Sequence, residues 1–426
     1  MFYGWRVVAG AFIAQLFVVG FYTYAASLLV GPVKEAFGVS LEQVMYSLAA
    51  ATVAGLVVQP VAGVLIDRLP VRWLMAAGAL VYGLGLLLLA RSNGILEYII
   101  IFGVALSLAN SFAGPMCASA VIARWFTASR GRAMGIAAIG TSVGGIVVPG
   151  VISAWMADGD WRLALEYFGY AVLLVMLPAV VLLVRGQPAD LGMEPEPDAS
   201  GTATLTEPTQ VLQLPDILRD PRFWYIGLCL GLLFAAYSAI LSNLTPYATN
   251  QGLTPEQAST MIMAVAIGGF AGKLLFGMLA DKLPKRVGLW LAQGLVVLAF
   301  VALAAGPGYT LLLVSCVILG LATGGMLPVW GAMMAQVFGI ASYGRAMGLM
   351  GPVITLCILP SYPVVGRLFD ASGSYVSSLY LASAAVVVSA ALLLPLRSEP
   401  RPPSAAIADS GGAAVGDAGK SDGASA

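Results

Sequence analysis

Histidine is absent from the 426 residues, and charged side chains make up only 10% of them. The commonest side chain for proton transfer near neutral pH is therefore missing. No embedded acid pair and no His/Asp metal constellation replaces it, which argues against an enzyme working inside the membrane. Cysteine is scarce: Cys117, Cys229, Cys316 and Cys357 all fall in apolar runs without metal-type spacing. They read as small packing residues, so neither a metal nor another cofactor is expected. There is no Walker-type loop, so nucleotide hydrolysis is not the expected driving force. The 21 basic residues balance the 21 acidic ones, and a net charge of zero points to no nucleic-acid partner. The apolar run after Arg6 is too long for the core of a cleavable signal.

What the chain has instead is apolar length. Hydrophobic residues make up 59% of it and the mean hydropathy is +0.91. Soluble domains are nearer 45–50% apolar and about 25% charged. Runs of roughly 20 apolar residues, enough to cross a bilayer, recur along the sequence. An all-α membrane protein with twelve spans follows, at 7–30, 45–66, 73–90, 98–121, 134–156, 165–184, 223–248, 258–280, 288–305, 310–337, 346–368 and 376–396. Residues 1–184 form a first six-helix bundle and 223–396 a second. The polar segment 185–222 between them holds Pro188, Pro195, Pro197, Pro208 and Pro215, which is linker composition. The tail 397–426 has the composition of a disordered segment. Pro115, Pro149, Pro328 and Pro360 are expected to bend the spans that contain them.

Orientation follows from Lys and Arg. Sixteen of the 21 cations fall on the side of the N-terminus, and four, Lys34, Arg91, Arg162 and Arg367, on the other. Both termini and the linker are therefore expected in the cytoplasm, with the protein in the plasma (inner) membrane.

The two halves repeat. "GVLIDRLPVR" at 63–72 matches "GMLADKLPKR" at 277–286, an offset of 214. Pro32 with Pro246, and Glu42–Gln43 with Glu256–Gln257, share that offset. "GRAMGI" at 131–136 matches "GRAMGL" at 344–349 at 213, as Pro115 matches Pro328. Membrane composition alone does not align Asp, Arg, Glu and Pro in this way. Parallel six-helix halves imply a pseudo-two-fold axis along the membrane normal, with substrate held between them near the midplane.

The duplicated Gly-x-x-x-Asp-Arg/Lys-x-x-x-Arg loops resemble the signature between helices 2 and 3 of the major facilitator superfamily, and the resemblance covers residues 1–396. It implies that the loops are gates, in which Asp67, Arg68, Arg72, Asp281, Lys282 and Arg286, with Arg132 and Arg345, hold the inside shut by pairing with neighbouring helix ends. Solvation of the loops is the plainer reading of the same charges. "YGWRVVAGAF" at 3–12, "ARWFTASRGRAMGI" at 123–136, "DWRLALEYFG" at 160–169 and "GRLFDASGSY" at 366–375 look like the branch that holds monocarboxylate transporters and oxalate–formate exchangers.

Lys273 is the one cation deep inside a span. It lies eight residues before Asp281, about 12 Å along a helix. Embedding a lysine costs roughly 2.5–3.5 kcal/mol. With no embedded acid to pair with, it is expected to face a central water-filled path and offer its charge to an anion. The branch most often has Arg at this place; Lys keeps the charge and loses the bidentate fork. Gly269 stands where several proton-coupled members have an acid, and the first span has no ionisable cation or acid. Further candidates for substrate contact are Asn110, Ser142, Thr141, Tyr237, Ser238, Asn243, Thr355 and Tyr362 as hydrogen-bond donors, and Tyr24 and Trp330 as walls. Each alone reads more readily as packing or as a bond between helices. Gln59 is the uncharged repeat mate of Lys273. Arg124 and Arg367 sit at span ends.

The expected activity is secondary transport of a small organic anion, best a monocarboxylate such as lactate or pyruvate, by alternating access, working as a monomer. A proton or a counter-anion is the candidate co-substrate, and a proton would ride on Lys273, on the substrate or on water. The alternatives are an oxalate/formate-type exchanger and an exporter of drugs or metabolites. A nutrient sensor would need a signalling domain for which the linker and tail are too short and too polar.

Overall fold

A computed structural model describes residues 2–157, 160–196, 212–306 and 308–396. The expected tail, 397–426, lies outside the described residues, as does the middle of the linker. Twelve helical spans are numbered here in chain order. They are α1 Gly4–Ala25, α2 Leu41–Arg68, α3 Val71–Ala90, α4 Ile95–Trp125, α5 Arg130–Ala157, α6 Trp161–Leu183, α7 Pro221–Ser242, α8 Pro255–Lys282, α9 Lys285–Ala304, α10 Tyr309–Phe338, α11 Tyr343–Ile358 and α12 Val376–Ala391. The first ten include stretches long and apolar enough to cross a membrane. The last two are shorter, with 16 residues each. The eleventh expected span, 346–368, is broken at Leu359–Pro360, and a separate helix, Ser361–Ser372, follows. Leu359 and Pro360 both keep helical backbone angles, so the break comes from the proline ring, which carries no N–H to continue the ladder.

The other proline expectations divide. α4 is interrupted at Gly114, directly before Pro115, where Gly114 takes an extended conformation. α10 is interrupted at Gly325, three residues before Pro328. α5 runs through Pro149, and α2 through Pro60, without interruption. α1 tightens and loosens near its far end, with a π-helical turn over Gly20–Ala25.

The repeat is visible in local chemistry. Ser40 and Gln43 form a reciprocal capping box at the start of α2, with bonds of 3.0 and 3.2 Å. Thr254 and Gln257 do the same for α8 at 3.0 and 3.3 Å. Each box satisfies two polar groups that a helix start would otherwise leave open.

The linker is more than a spacer at its two described ends. Residues 185–196 fold against the end of α4: the Trp125 indole donates to the Arg185 carbonyl, and Glu196 N–H donates to the Trp125 carbonyl. The Glu196 carboxylate then accepts from Ser129 N–H (2.8 Å) and Ser129 Oγ (2.7 Å), just before α5. At the other end, Leu212 N–H donates to Ser342 Oγ (2.8 Å) and its carbonyl accepts from Arg345 Nη1 (2.7 Å), at the start of α11. Ser129 and Ser342 are repeat mates.

The halves meet through α2 with α11 and α5 with α8, joined by the ends of α4 and α10 nearest the duplicated loops. Missing side chains make the approach possible. A Cβ on Gly63 would lie 2.2 Å from the Gly344 carbonyl, and one on Gly135 would lie 2.4 Å from the Lys273 carbonyl. Farther from the loops each half packs on itself. Gly144 meets Leu16, Gly145 meets Tyr24, and Gly268 and Gly272 meet Val317 and Leu321. The molecule is thus shut at the loop end, with its tightest contacts between halves below the level of Lys273.

Candidate functional site

The duplicated loops end in two carboxylates that cross to the opposite half. Asp67, at the end of α2, accepts from the backbone N–H groups of Gly344 (2.8 Å) and Arg345 (2.9 Å) in the first turn of α11. Its side chain is 1% exposed, and the Arg345 guanidinium, 4% exposed, lies 3.8 Å away. Arg124 donates to the Ile66 carbonyl at 2.7 Å, one residue before Asp67. Asp281, at the end of α8, accepts from Gly131 N–H (2.5 Å) and Arg132 N–H (2.8 Å) in the first turn of α5. A helix start leaves N–H groups without partners and carries partial positive charge, so a carboxylate is the complementary group.

Most of the motif cations point away from the two carboxylates. Arg68 and Lys282 are exposed. Arg72 lies over the Trp73 ring at 4.8 Å, and Arg286 over Trp290 at 4.3 Å with a bond to the Leu396 carbonyl. Arg132 reaches the closure through its backbone, while its guanidinium lies over Trp5 at 5.3 Å. Among the described residues, Arg345 is the expected gating cation that comes within ion-pair distance of a carboxylate. The physical reason is supply: each helix start already offers two N–H donors to its carboxylate, and the guanidinium planes find aromatic faces at the loop end. Lys285, which no motif argument singled out, donates to the Ala280 carbonyl beside Asp281.

Above the Asp281 closure, on the same pair of helices, is Lys273. Its Nζ donates to Thr141 Oγ1 (2.7 Å) and Ser142 Oγ (2.5 Å) of α5. Side chains on a helix tilt toward its N-terminus, and the N-terminus of α8 is at the far end. The ammonium therefore points away from the closed loops. Among the described residues it makes no ion pair with a carboxylate.

The repeat mates of this pair, Gln59 on α2 and Thr355 on α11, occupy the other inter-half seam. A Cβ on Gly351 would overlap Gln59 Oε1, and Thr355 Oγ1 donates to the Gly351 carbonyl at 3.0 Å. At this level one seam thus carries a charge and the other neutral polar groups, although the second holds the Asp67–Arg345 pair nearer the loops.

The remaining candidates are scattered. Tyr24, 44% exposed in the π-turn of α1, lies against α5 where a Cβ on Gly145 would meet its ring. Tyr237 on α7 lies beside Thr323 on α10. Trp330 on α10 meets Phe234 on α7 edge-on at 6.3 Å, and its buried indole N–H has no partner among the described residues. Thr323 and Phe234 were missed in the sequence because they look like ordinary span residues. Asn110 sits one turn before the break in α4, its carbonyl accepting from Gly114 N–H. Asn243 does not join the seam. Its side chain donates to the Ala239 carbonyl at 2.8 Å at the end of α7, and it lines a small space with Tyr247, Leu303 and Tyr375 inside the second half.

Comparison with known proteins agrees with this architecture. The chain is 24% identical over 416 residues to monocarboxylate transporter 12 of Rattus norvegicus, covering 92% of this chain and 85% of the rat protein. It is also 24% identical over 329 residues to an agnestins efflux protein of Paecilomyces divaricatus, covering 75% and 70%. The structure of the human organic anion transporter MFSD10 superposes with a TM-score of 0.71 at 16% identity, over 92% of this chain and 99% of that one. The family profile of the Major Facilitator Superfamily matches residues 11–307 and again 228–420. With its twelve helices and these matches, the chain belongs to the Major Facilitator Superfamily and is a membrane transporter rather than an enzyme.

Proposed function

We propose that this transporter carries a small organic monoanion, best a monocarboxylate, and that Lys273 receives the carboxylate. The observation that carries the reading is the Lys273 ammonium, embedded at the seam of α5 and α8 and held by two hydroxyls instead of a carboxylate. An embedded cation without an ionic partner is costly unless function uses it. One positive charge neutralises one carboxylate, whereas a dianion would leave a charge uncompensated in a poorly solvated site. The similarity to a monocarboxylate transporter supports the same substrate class. Tyr24, Tyr237, Trp330, Ser142 and Thr355 are the side chains proposed to border the substrate, with Asn110 at the α4 break.

The Asp67 and Asp281 caps are the proposed closure of the cytoplasmic side. Both termini and the linker lie in the cytoplasm of a plasma-membrane protein in this reading, and the monomer is the working unit. Reporter fusions after Glu194 and after Ala405 should both report cytoplasm; an external signal at either overturns the orientation.

Purified protein in liposomes tests the activity, with labelled lactate, pyruvate, acetate, formate and oxalate, with and without a pH gradient. Uptake of monocarboxylates above oxalate supports the reading. Exchange of oxalate for formate at the higher rate would replace it, and transport of bulky apolar compounds without any carboxylate would point to efflux, the activity named for the fungal relative.

A further inference from the structure

Lys273 and its two hydroxyl partners belong to different halves. The lysine is on α8, and Thr141 and Ser142 are on α5. The same two helices are joined below by the Asp281 cap, and between the two contacts the Lys273 carbonyl lies against Gly135. The Thr141 hydroxyl donates to the Ala138 carbonyl at 2.9 Å. Its proton is thereby committed, and its lone pairs are left to accept from the ammonium. The Ser142 oxygen accepts beside it. Two adjacent oxygens, 2.7 and 2.5 Å from Nζ, present to the ammonium what the two oxygens of a carboxylate would present.

We infer that Thr141 and Ser142 are place-holders for the substrate carboxylate, and that their bonds to Lys273 latch the two halves together while the carrier is empty. This rests on the reading of Lys273 as the anion's partner. The ammonium has three donors and the hydroxyls engage two of them. An arriving carboxylate docks on the third and then displaces the hydroxyls, because a charged acceptor outcompetes a neutral one. Each displaced bond is one lost between α5 and α8. What remains to hold that seam is the Asp281 cap and the glycine contacts. Occupancy is in this way converted into freedom for the halves to part at the loop end. Thr141 and Ser142 act through Lys273 and are positioning residues. The α2/α11 seam has no such device, since Gln59 stands in the place of the lysine.

The latch predicts a carrier that reorients slowly when empty and faster when loaded. The direct test reads the separation of the halves by spin labels on Arg68→Cys and Lys282→Cys, two exposed positions, one in each half. Cys357 is replaced by Ser, because the other three native cysteines are buried. The protein is in lipid nanodiscs without any carboxylate. In Thr141→Val/Ser142→Ala a population of longer separation is expected to grow, raising the ratio of open to closed loop ends by about tenfold. Thr141→Ser/Ser142→Thr keeps both hydroxyls and should keep the short separation. Pyruvate or lactate should lengthen the separation in the unaltered pair and add little in Thr141→Val/Ser142→Ala. An unchanged distribution in Thr141→Val/Ser142→Ala overturns the latch. So does an equal disturbance in the hydroxyl-preserving variant, which would mark a packing role. If Thr141→Val/Ser142→Ala opens but no monocarboxylate moves the unaltered pair, the latch stands and the carboxylate reading of Lys273 falls.

Discussion

The two seams between the halves are built alike and equipped differently. In each, a carboxylate at the end of one helix caps the first turn of a helix from the other half, and glycines let the backbones approach. At the α2/α11 seam the carboxylate is sealed, with an arginine beside it, and the polar residue above it is a neutral glutamine. At the α5/α8 seam the carboxylate is less enclosed, and the residue above it is a lysine. In the proposed reading, the duplicated scaffold and the chemical site are separate layers: closure uses the same groups twice, and one charge on one side serves to choose an anion.

Removing that charge makes the seams equivalent and should have the largest effect. Lys273→Gln is expected to weaken monocarboxylate binding by more than about tenfold, since hydrogen bonds to charged groups contribute roughly 1.5–3 kcal/mol. Binding to purified protein checks this, and unaltered affinity in Lys273→Gln would take the lysine out of the site. Lys273→Arg keeps the charge and should retain partial activity.

The caps should differ next. Asp67→Asn leaves Arg345 buried without its counter-charge, and breaking one partner of a buried pair costs roughly 3–5 kcal/mol. Asp281→Asn loses two charge–dipole bonds and the longer-range attraction of Lys285 and Arg132, at a more open position. Labelling of introduced cysteines from the loop side should rise in both variants and rise more in Asp67→Asn, with membrane insertion intact. Equal labelling would mean that the seams bear the closure equally.

Filling a glycine tests the scaffold without touching charge. Gly63→Val and Gly135→Val place atoms where opposing carbonyls already lie, so both should shift the carrier away from the closed loop end, read by the same labelling. Gly150, where an added Cβ would meet no atom of a neighbouring element within 4 Å, is the control, and Gly150→Ala should leave labelling unchanged. The smallest effect is expected at Asn243. Asn243→Ala removes one capping bond at the end of α7 and should cost about 1 kcal/mol of stability, with substrate affinity unaltered. A loss of affinity there would return Asn243 to the site.

Much of this could be read from residue order. Long apolar runs mark the spans, and the 213–214 offset pairs Asp67 with Asp281 and Lys273 with Gln59 from residue order alone. Lys273 stood out because an embedded charge is rare. What the sequence did not disclose depends on partners far away along the chain. Nothing in the local order of Asn243 tells that its amide is spent on the Ala239 carbonyl. The motif arginines look alike in sequence, yet Arg345 meets a carboxylate while Arg72 and Arg286 lie on indole rings. Glu196 and Leu212 looked like unremarkable linker residues, and their hold on Ser129 and Ser342 appears only when the helix starts are in place.

The lone lysine also has an electrical consequence. A carrier that holds a monoanion on Lys273 crosses its loaded step with no net charge at the site. When it returns empty with the ammonium protonated, one positive charge moves relative to the membrane field, at about 2.3 kcal/mol per 100 mV for a full crossing. If the proton leaves with the anion instead, the empty step is neutral, and voltage sensitivity gives way to dependence on the pH difference. Because no embedded carboxylate balances Lys273 among the described residues, the same side chain sets both responses. Uptake rates measured against voltage at fixed pH, and against the pH difference at zero voltage, should therefore move in opposition: strong in one, weak in the other.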